Sequence, residues 1–181
     1  MAASLVCFFG VGTAWGNSAK WAYADAYQAG NGGDWYIGDN NETALLAWGE
    51  SYVMMSLASM YRATLDPDWL DELSRHIDGV LRQRDDKRGV TDYRGDSAAC
   101  WQNHSYQPAN QPYCYVVHSG MIGYPIAEWV RLVDTYGLHD EIAYDSRSFR
   151  TKASEYLQAA KETVAAHNDQ WRNEGYYVFR P

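Results

Sequence analysis

The sequence is poor in positive charge, and this shortage argues against nucleic acid as a partner. Its 15 Lys and Arg residues are outnumbered by 23 Asp and Glu residues, which gives a formal net charge of −8 at pH 7. A nucleic-acid surface needs clustered cations that neutralise phosphates, and no basic run occurs in the chain. We therefore expect no nucleic-acid partner.

Cysteines are also few, and their spacing argues against a metal centre. Cys7, Cys100 and Cys114 form no CxxC pair and no Cys/His zinc pattern, so we expect neither a metal nor another cofactor. Cys100 and Cys114 bracket one polar loop, where two alternatives stay open. They form either a disulfide that contributes about 3 kcal/mol in an oxidising compartment, or a pair of free buried thiols.

Long hydrophobic runs are missing as well. No segment approaches the roughly 20 apolar residues that cross a bilayer, so we expect no membrane span. The longest uncharged segment, MAASLVCFFGVGTAWGNSA, holds an apolar stretch, Leu5 to Val11, as long as that of a signal peptide but without its positive start. It is either a degenerate signal, which would favour a secreted or periplasmic protein, or an internal element of a longer reading frame.

The chain does contain enough apolar material for a folded core, with 46% apolar and 15% aromatic residues. Gly, Asn and Asp crowd residues 17–42, so we predict that residues 1–42 form an irregular N-terminal segment and residues 43–181 a helical domain. From Thr43 to Leu65, apolar residues occupy two faces at helical spacing, which predicts a helix buried between others. One of these faces holds Leu45, Trp48, Tyr52 and Met55, and the other holds Leu46, Val53, Leu57 and Met60.

Three further helices are predicted. Asp66 suits an N-cap and Pro67 a first helical position, and an apolar stripe from Trp69 to Leu81 indicates an amphipathic second helix. The short connection makes the first two helices an antiparallel hairpin. Helical spacing also predicts a third helix, with Pro125 near its first turn, and a fourth from Ser148 to Asn168. The expected fold class is all-α, with two or more antiparallel helical hairpins.

Two segments contain the predicted helices and cover most of the chain: ETALLAWGESYVMMSLASMYRATLDPDWLDELSRHIDGVLRQRDDKRGVTDY and YVVHSGMIGYPIAEWVRLVD. These segments resemble helical hairpins of the six-hairpin, or α/α-toroid, class of carbohydrate-active proteins. The resemblance implies helical hairpins around an axis, as in glycosidases, uronate-processing hydrolases and polysaccharide lyases. A closed toroid has about five to seven hairpins and this chain only two, so the fold would be incomplete. We expect a homo-oligomer or a missing remainder of the ring.

The resemblance also implies a groove for a poly- or oligosaccharide at one rim, where the loop from Asp92 to His118 is rich in suitable side chains. Cleavage of a uronate chain by β-elimination needs a group that neutralises the carboxylate, together with an acid and a base. The candidate catalytic residues are His118, Asp96, Tyr115, Asn103 and His104. The candidate substrate-binding residues, chosen for flat rings or charge, are Trp101, Tyr106, Arg94, Trp48 and Tyr113.

Several alternatives remain open at this stage. The enzyme could be a hydrolase instead of a lyase, since Asp92, Asp96 and Glu50 could supply the two carboxyl groups that hydrolysis requires. A protein of another class, a non-catalytic helical-repeat module or an inactive toroid fragment, could bind glycan or protein through the same rim.

The histidines have structural alternatives too. His118 could simply belong to a helix start at which Ser119 is the cap. We predict structural roles for His76 on a solvated helix and for His139 and His167 at helix ends.

Overall fold

The structure is a computed structural model that describes residues 14–179. Within this range the chain is mostly helical, as predicted, and also contains a short antiparallel β-hairpin. The elements are α1 Ala14–Ala29, α2 Ser51–Thr64, α3 Asp68–Arg82, α4 Asp85–Arg88, α5 Val116–Tyr136, α6 Phe149–Ala165, β1 Trp171–Arg172 and β2 Tyr176–Tyr177. The candidate signal segment, Leu5 to Val11, and Cys7 lie outside the described residues.

Helix α1 corrects the prediction of an irregular N-terminal segment, because irregular chain begins only at Gly30. Tyr23 and Tyr27 of α1 make edge contacts with the Trp69 ring of α3, at centroid distances of 5.5 and 6.3 Å. Packing of this kind stabilises a helix whose own sequence signal is weak. The Gly and Asn residues on which the prediction depends are concentrated after residue 29. They indicate irregular structure there and not in the segment that forms α1.

Helix α2 follows a π-helical turn, Leu46–Glu50, so the predicted helix from Thr43 to Leu65 is confirmed apart from its first residues. The neighbouring helices α3 and α5 cover only one side of α2. The buried side chains include Met54 and Leu57, whereas Trp48 and Tyr52 are exposed. The prediction that both apolar faces are buried is therefore wrong for the face that carries Trp48.

Helix α3 starts after a tight reversal of the chain. Leu65 adopts the left-handed conformation with φ 55°, and its N–H donates to the Tyr61 carbonyl, which closes the end of α2. The Asp66 carboxylate then accepts a hydrogen bond from the Asp68 N–H at 3.3 Å, next to Pro67. The predicted apolar stripe of α3 is confirmed, and its fully buried members are Leu70, Leu73, Ile77 and Val80.

Helices α5 and α6 are confirmed, although α6 ends at Ala165 and not at the predicted Asn168. Because α5 begins at Val116, Pro125 lies well inside the helix rather than near its first turn. A proline there removes one hydrogen bond of the helix. The N-cap of α6 is Ser148, whose hydroxyl accepts a hydrogen bond from the Thr151 N–H at 3.2 Å, as the predicted start of this helix requires.

The helices pack as two neighbouring pairs. Helix α2 contacts α3 and α5, and α5 contacts α6. Two buried indoles connect other parts of the chain to α3, because Trp101 donates to the Val80 carbonyl and Trp129 to the Leu70 carbonyl, each at 2.8 Å. A toroid-like arrangement of such pairs remains a prediction.

Candidate functional site

His118 lies in the first turn of α5 and is surrounded by aromatic rings. Its imidazole is 1% exposed, and ring centroids lie at 5.2 Å for Tyr115, 5.6 Å for Trp48 and 5.7 Å for Tyr106. Trp48 comes from the π-helical turn before α2 and Tyr106 from the loop before α5. We call these four residues, together with Asn41, the His118 site.

Asn41 determines which nitrogen of His118 carries the proton. The Asn41 amide has a fixed orientation, because its Oδ1 accepts from the Ala47 N–H and its Nδ2 donates to the Trp101 carbonyl, both at 3.0 Å. The same Nδ2 lies 3.3 Å from His118 Nδ1. Nδ1 is therefore the acceptor, and in the neutral imidazole the proton sits on Nε2.

The imidazole is neutral at physiological pH. Burial lowers the pKa of His118 to about 4, because the aromatic surroundings disfavour the charged form. With Nε2 protonated and Nδ1 occupied by Asn41, neutral His118 can donate a hydrogen bond through Nε2. It has no free lone pair in this state with which to act as a general base.

Two rings of the site are open to solvent. The exposed fraction is 41% for Trp48 and 57% for Tyr106. Tyr52 is also exposed and lies four residues after Trp48, so it follows on the same side of the helix. Exposed rings beside a hydrogen-bond donor form a surface that can hold a ligand with flat apolar faces and polar edges.

Tyr115 carries an unusual hydroxyl. The oxygen is buried and has no hydrogen-bond partner among the residues that the structure describes; the Gln107 amide lies nearby without reaching hydrogen-bonding geometry. Burial raises the pKa of this phenol, so it stays protonated at neutral pH. Tyr113 packs against the same ring at 4.7 Å and is itself buried, which makes Tyr113 a support for the site and not an exposed surface.

Asn103 and His104 hold the site together. The Asn103 amide donates to the carbonyls of Asn41 and Glu42 at 3.1 and 3.0 Å, and its oxygen accepts from the Ser105 N–H. The His104 N–H also donates to the Glu42 carbonyl. The Asn103 amide is buried, and both its nitrogen and its oxygen are hydrogen-bonded within the protein. It therefore positions the loop that carries Asn41 and is not available to a ligand.

Three other predicted residues lie in different surroundings. Trp101 is 0% exposed, so the structure corrects its assignment as a stacking surface: no face of this indole is accessible. Asp96 and Arg94 form an ion pair at 3.1 Å on a turn closed by the Asp92 carboxylate, which accepts from the N–H groups of both residues. Arg94 also lies 5.9 Å from the ring centroid of Tyr93, outside the rings that surround His118.

Cys100 and Cys114 form a disulfide that closes the loop before α5. The Asp85 carboxylate lies beside it and accepts from the Gln102 N–H at 3.0 Å, and burial raises its pKa to about 7. Among the described residues, these three side chains form the one group of potential metal ligands whose ligand atoms lie within 4.8 Å of one another. Since both sulfurs are in the disulfide, neither is a thiolate that could bind a metal.

A buried polar cluster around His76 was not predicted from the sequence. His76 was assigned to a solvated helix face but is fully buried, with its Nδ1 2.5 Å from Glu50 Oε1 and its Nε2 2.7 Å from the Tyr27 hydroxyl. That hydroxyl donates to Glu72 at 2.6 Å. The available signal was the apolar stripe of α3 itself, because His76 lies three residues after Leu73 and four before Val80.

Comparisons with protein-family models, with curated proteins and with solved structures found no match for this chain. Among the described helices, none is both long and apolar enough to cross a membrane.

Proposed function

We propose that the His118 site binds carbohydrate. The observation that carries this proposal is the pair of exposed rings, Trp48 and Tyr106, whose centroids lie 5.6 and 5.7 Å from that of a neutral imidazole. A pyranose has apolar C–H faces that pack on aromatic rings, and its edges carry hydroxyls that need hydrogen-bond partners. The Nε2–H of His118 supplies a donor next to these rings.

The charge state of the site also favours a neutral sugar over an ionic one. Burial keeps His118 uncharged, with its pKa held at about 4. Trp48, Tyr106 and Asn41 are uncharged as well, so the site offers no cation to pair with a uronate. Affinity should therefore remain constant between about pH 5 and about pH 8.

Glycosidic bond cleavage, by a hydrolase or a lyase, is the second candidate, and the unpartnered hydroxyl of Tyr115 favours it. A protonated phenol beside the sugar could donate a proton to the leaving oxygen. Binding nevertheless has more support than cleavage, because His118 lacks a lone pair for the role of base. The predicted carboxylate, Asp96, is paired with Arg94.

The test is a binding assay with neutral and uronic polysaccharides that reads affinity, new reducing ends and the ultraviolet absorbance of unsaturated uronate. We expect Trp48→Ala and Tyr106→Ala each to weaken binding of a neutral glycan by roughly fivefold to tenfold, since one aromatic contact contributes about 1 kcal/mol. The matched control is Trp21→Ala, which removes an indole exposed on α1.

Two outcomes would contradict the binding proposal: no polymer binds, or the Trp48 and Trp21 variants bind equally well. Reducing ends that appear with the native chain and disappear in Tyr115→Phe would establish cleavage. Reducing ends without the unsaturated product would indicate a hydrolase, and the two together a lyase.

A further inference from the structure

A cavity lies between α5 and α6, and its lining residues do not include His118. Its volume is about 490 Å³, within the usual size of small-molecule sites. Small residues open it on both helices, Gly120 and Gly123 on α5 and Ala160 on α6, and the wall is mostly apolar. The polar exceptions include Ser119 and His167, which are both buried and both line the cavity.

Ser119, His167 and Gln170 form a connected chain. Ser119 Oγ lies 2.8 Å from His167 Nε2, and the amide nitrogen of Gln170 lies 3.0 Å from His167 Nδ1. A nucleophile, a base within hydrogen-bond reach and a third group that orients the base are the parts of a nucleophilic site. None of the three belongs to the His118 site.

The Gln170 amide controls the proton on His167. With its NH2 towards Nδ1, the imidazole carries its proton on Nε2 and donates to Ser119. With the amide turned by half a rotation, Gln170 Oε1 accepts from Nδ1–H, and Nε2 can then accept the Ser119 hydroxyl proton. Both arrangements use the same ring positions. The second requires rotation of the Gln170 amide and transfer of the imidazole proton from Nε2 to Nδ1.

The start of α5 provides donors next to Ser119. The N–H groups of Val116, Val117 and His118 belong to the first helical turn, where no carbonyl of the helix accepts them. Side chains of a helix lean towards its N-terminus, so the Ser119 hydroxyl points towards this turn. Such N–H groups can stabilise the negative oxygen that forms when a hydroxyl attacks a carbonyl.

From these positions we infer that the cavity between α5 and α6 is a second site, which binds a small ester of an aliphatic acid and transfers its acyl group to Ser119. The Ser119 oxygen bonds to the carbonyl carbon while its proton passes to His167 Nε2. The bond from that carbon to the alcohol oxygen then breaks, and the alcohol leaves with the proton. Water attacks the acyl-serine, gives a proton to His167, and releases the acid as Ser119 regains its hydrogen.

The experiment treats the full chain with an alkyl fluorophosphonate, which modifies activated serines, and with p-nitrophenyl butyrate. We expect one adduct, located on Ser119 by peptide mass spectrometry, and release of p-nitrophenol. Ser119→Ala should abolish both, and His167→Gln should slow both by about a hundredfold, the usual effect of losing a general base. Ser154→Ala, which removes an exposed serine of α6, is the matched control.

Two further variants keep the inference testable if the buried substitutions prevent folding. A Cβ added at Gly123 meets no atom within 4 Å, so Gly123→Leu should fold, extend into the cavity and block labelling. Gln170→Glu should hold the proton on Nδ1 and speed labelling. The absence of an adduct on Ser119, equal labelling of Gly123→Leu, or butyrate hydrolysis that survives Ser119→Ala would each overturn the inference. None of these results bears on the proposal that the His118 site binds glycan.

Discussion

At the scale of single residues, His76 is a fully buried histidine whose hydrogen-bond partners favour its charged form. Burial alone would lower its pKa, but hydrogen bonds to Glu50 and Glu72 act in the opposite direction and raise the pKa to about 9. The cationic imidazole therefore compensates the buried Glu50 carboxylate. Removing one partner of such a pair leaves a charge without compensation, which costs more than the pair itself contributes.

The His76 environment predicts that stability depends on pH. Because the pKa is raised on folding, its contribution is complete below the unfolded value near 6.5 and is lost as the pH rises through about 9. We expect the free energy of unfolding in urea to fall by roughly 3 kcal/mol across this range. Glu50→Gln, which keeps a hydrogen-bond acceptor without the charge, should reduce the decline.

The control for this prediction is His139→Gln, which changes a half-exposed histidine paired with Asp134. A proton NMR titration of His76 would locate its pKa directly. An unchanged pH profile in Glu50→Gln, or a His76 titration near 6, would show that the buried pair does not hold the proton.

At the scale of elements, local irregularities define how the helices begin and end. The π-helical turn Leu46–Glu50 directs Trp48 to solvent while Leu46 and Glu50 face the interior. π-Turns of this kind often occur at functional sites, where they change the direction of one side chain. Helix α5 ends at Gly137, whose φ of 67° lies in the left-handed region and whose N–H donates to the Val133 carbonyl.

Gly137→Ala tests the importance of this helix end. An added Cβ meets no neighbouring atom, so the cost is conformational and amounts to about 1 kcal/mol. For a chain of this size we expect a decrease in Tm of roughly 2 to 4 °C, measured by circular dichroism. In Gly137→Asn the decrease in Tm should be smaller, because asparagine tolerates the left-handed region better than alanine does. Equal stability of the alanine variant and the native chain would contradict this account of the helix end.

At the scale of the whole molecule, the disulfide links the loop of the site to the rest of the fold. Cys100 and Cys114 enclose the segment that carries Asn103 and Tyr106, and the chain resumes as α5 just after Tyr115. One side of the His118 site therefore comes from a closed loop and the other from the turn before α2. The two sides meet through the Asn103 amide and the Asn41 carbonyl.

Breaking the disulfide should weaken both stability and binding. Replacing both cysteines by serine removes a constraint on the unfolded chain, and we expect a loss of about 3 kcal/mol in the free energy of unfolding. Affinity for a glycan at the His118 site should fall as well, because Tyr106 lies in the released loop. The double variant and the disulfide-bonded reference chain should both carry Cys7→Ser, so that the thiol of Cys7 does not exchange with the disulfide. Unchanged glycan affinity in a folded double variant would show that the loop holds its shape without the bond.

The positions of the helices were largely predictable, because apolar spacing is a local property of the chain. The apolar stripe of α3 and the start of α6 at Ser148 appear in the structure as expected. Part of the site was predictable for a similar reason: Tyr106, Tyr115 and His118 lie close together in the sequence. Helix α1 was missed because its stability comes from contacts with Trp69, which lies on α3.

What the sequence by itself determined is the helical character of the chain, its negative charge and the chemical types gathered before α5. Only the tertiary structure decided that Trp101 is buried, that Trp48 is exposed, and that Asn41 directs the proton of His118. Long-range packing also brings Ser119 to His167. Spacing along a helix identifies a face, but its burial depends on which distant segment covers it, and packing of the whole chain decides that.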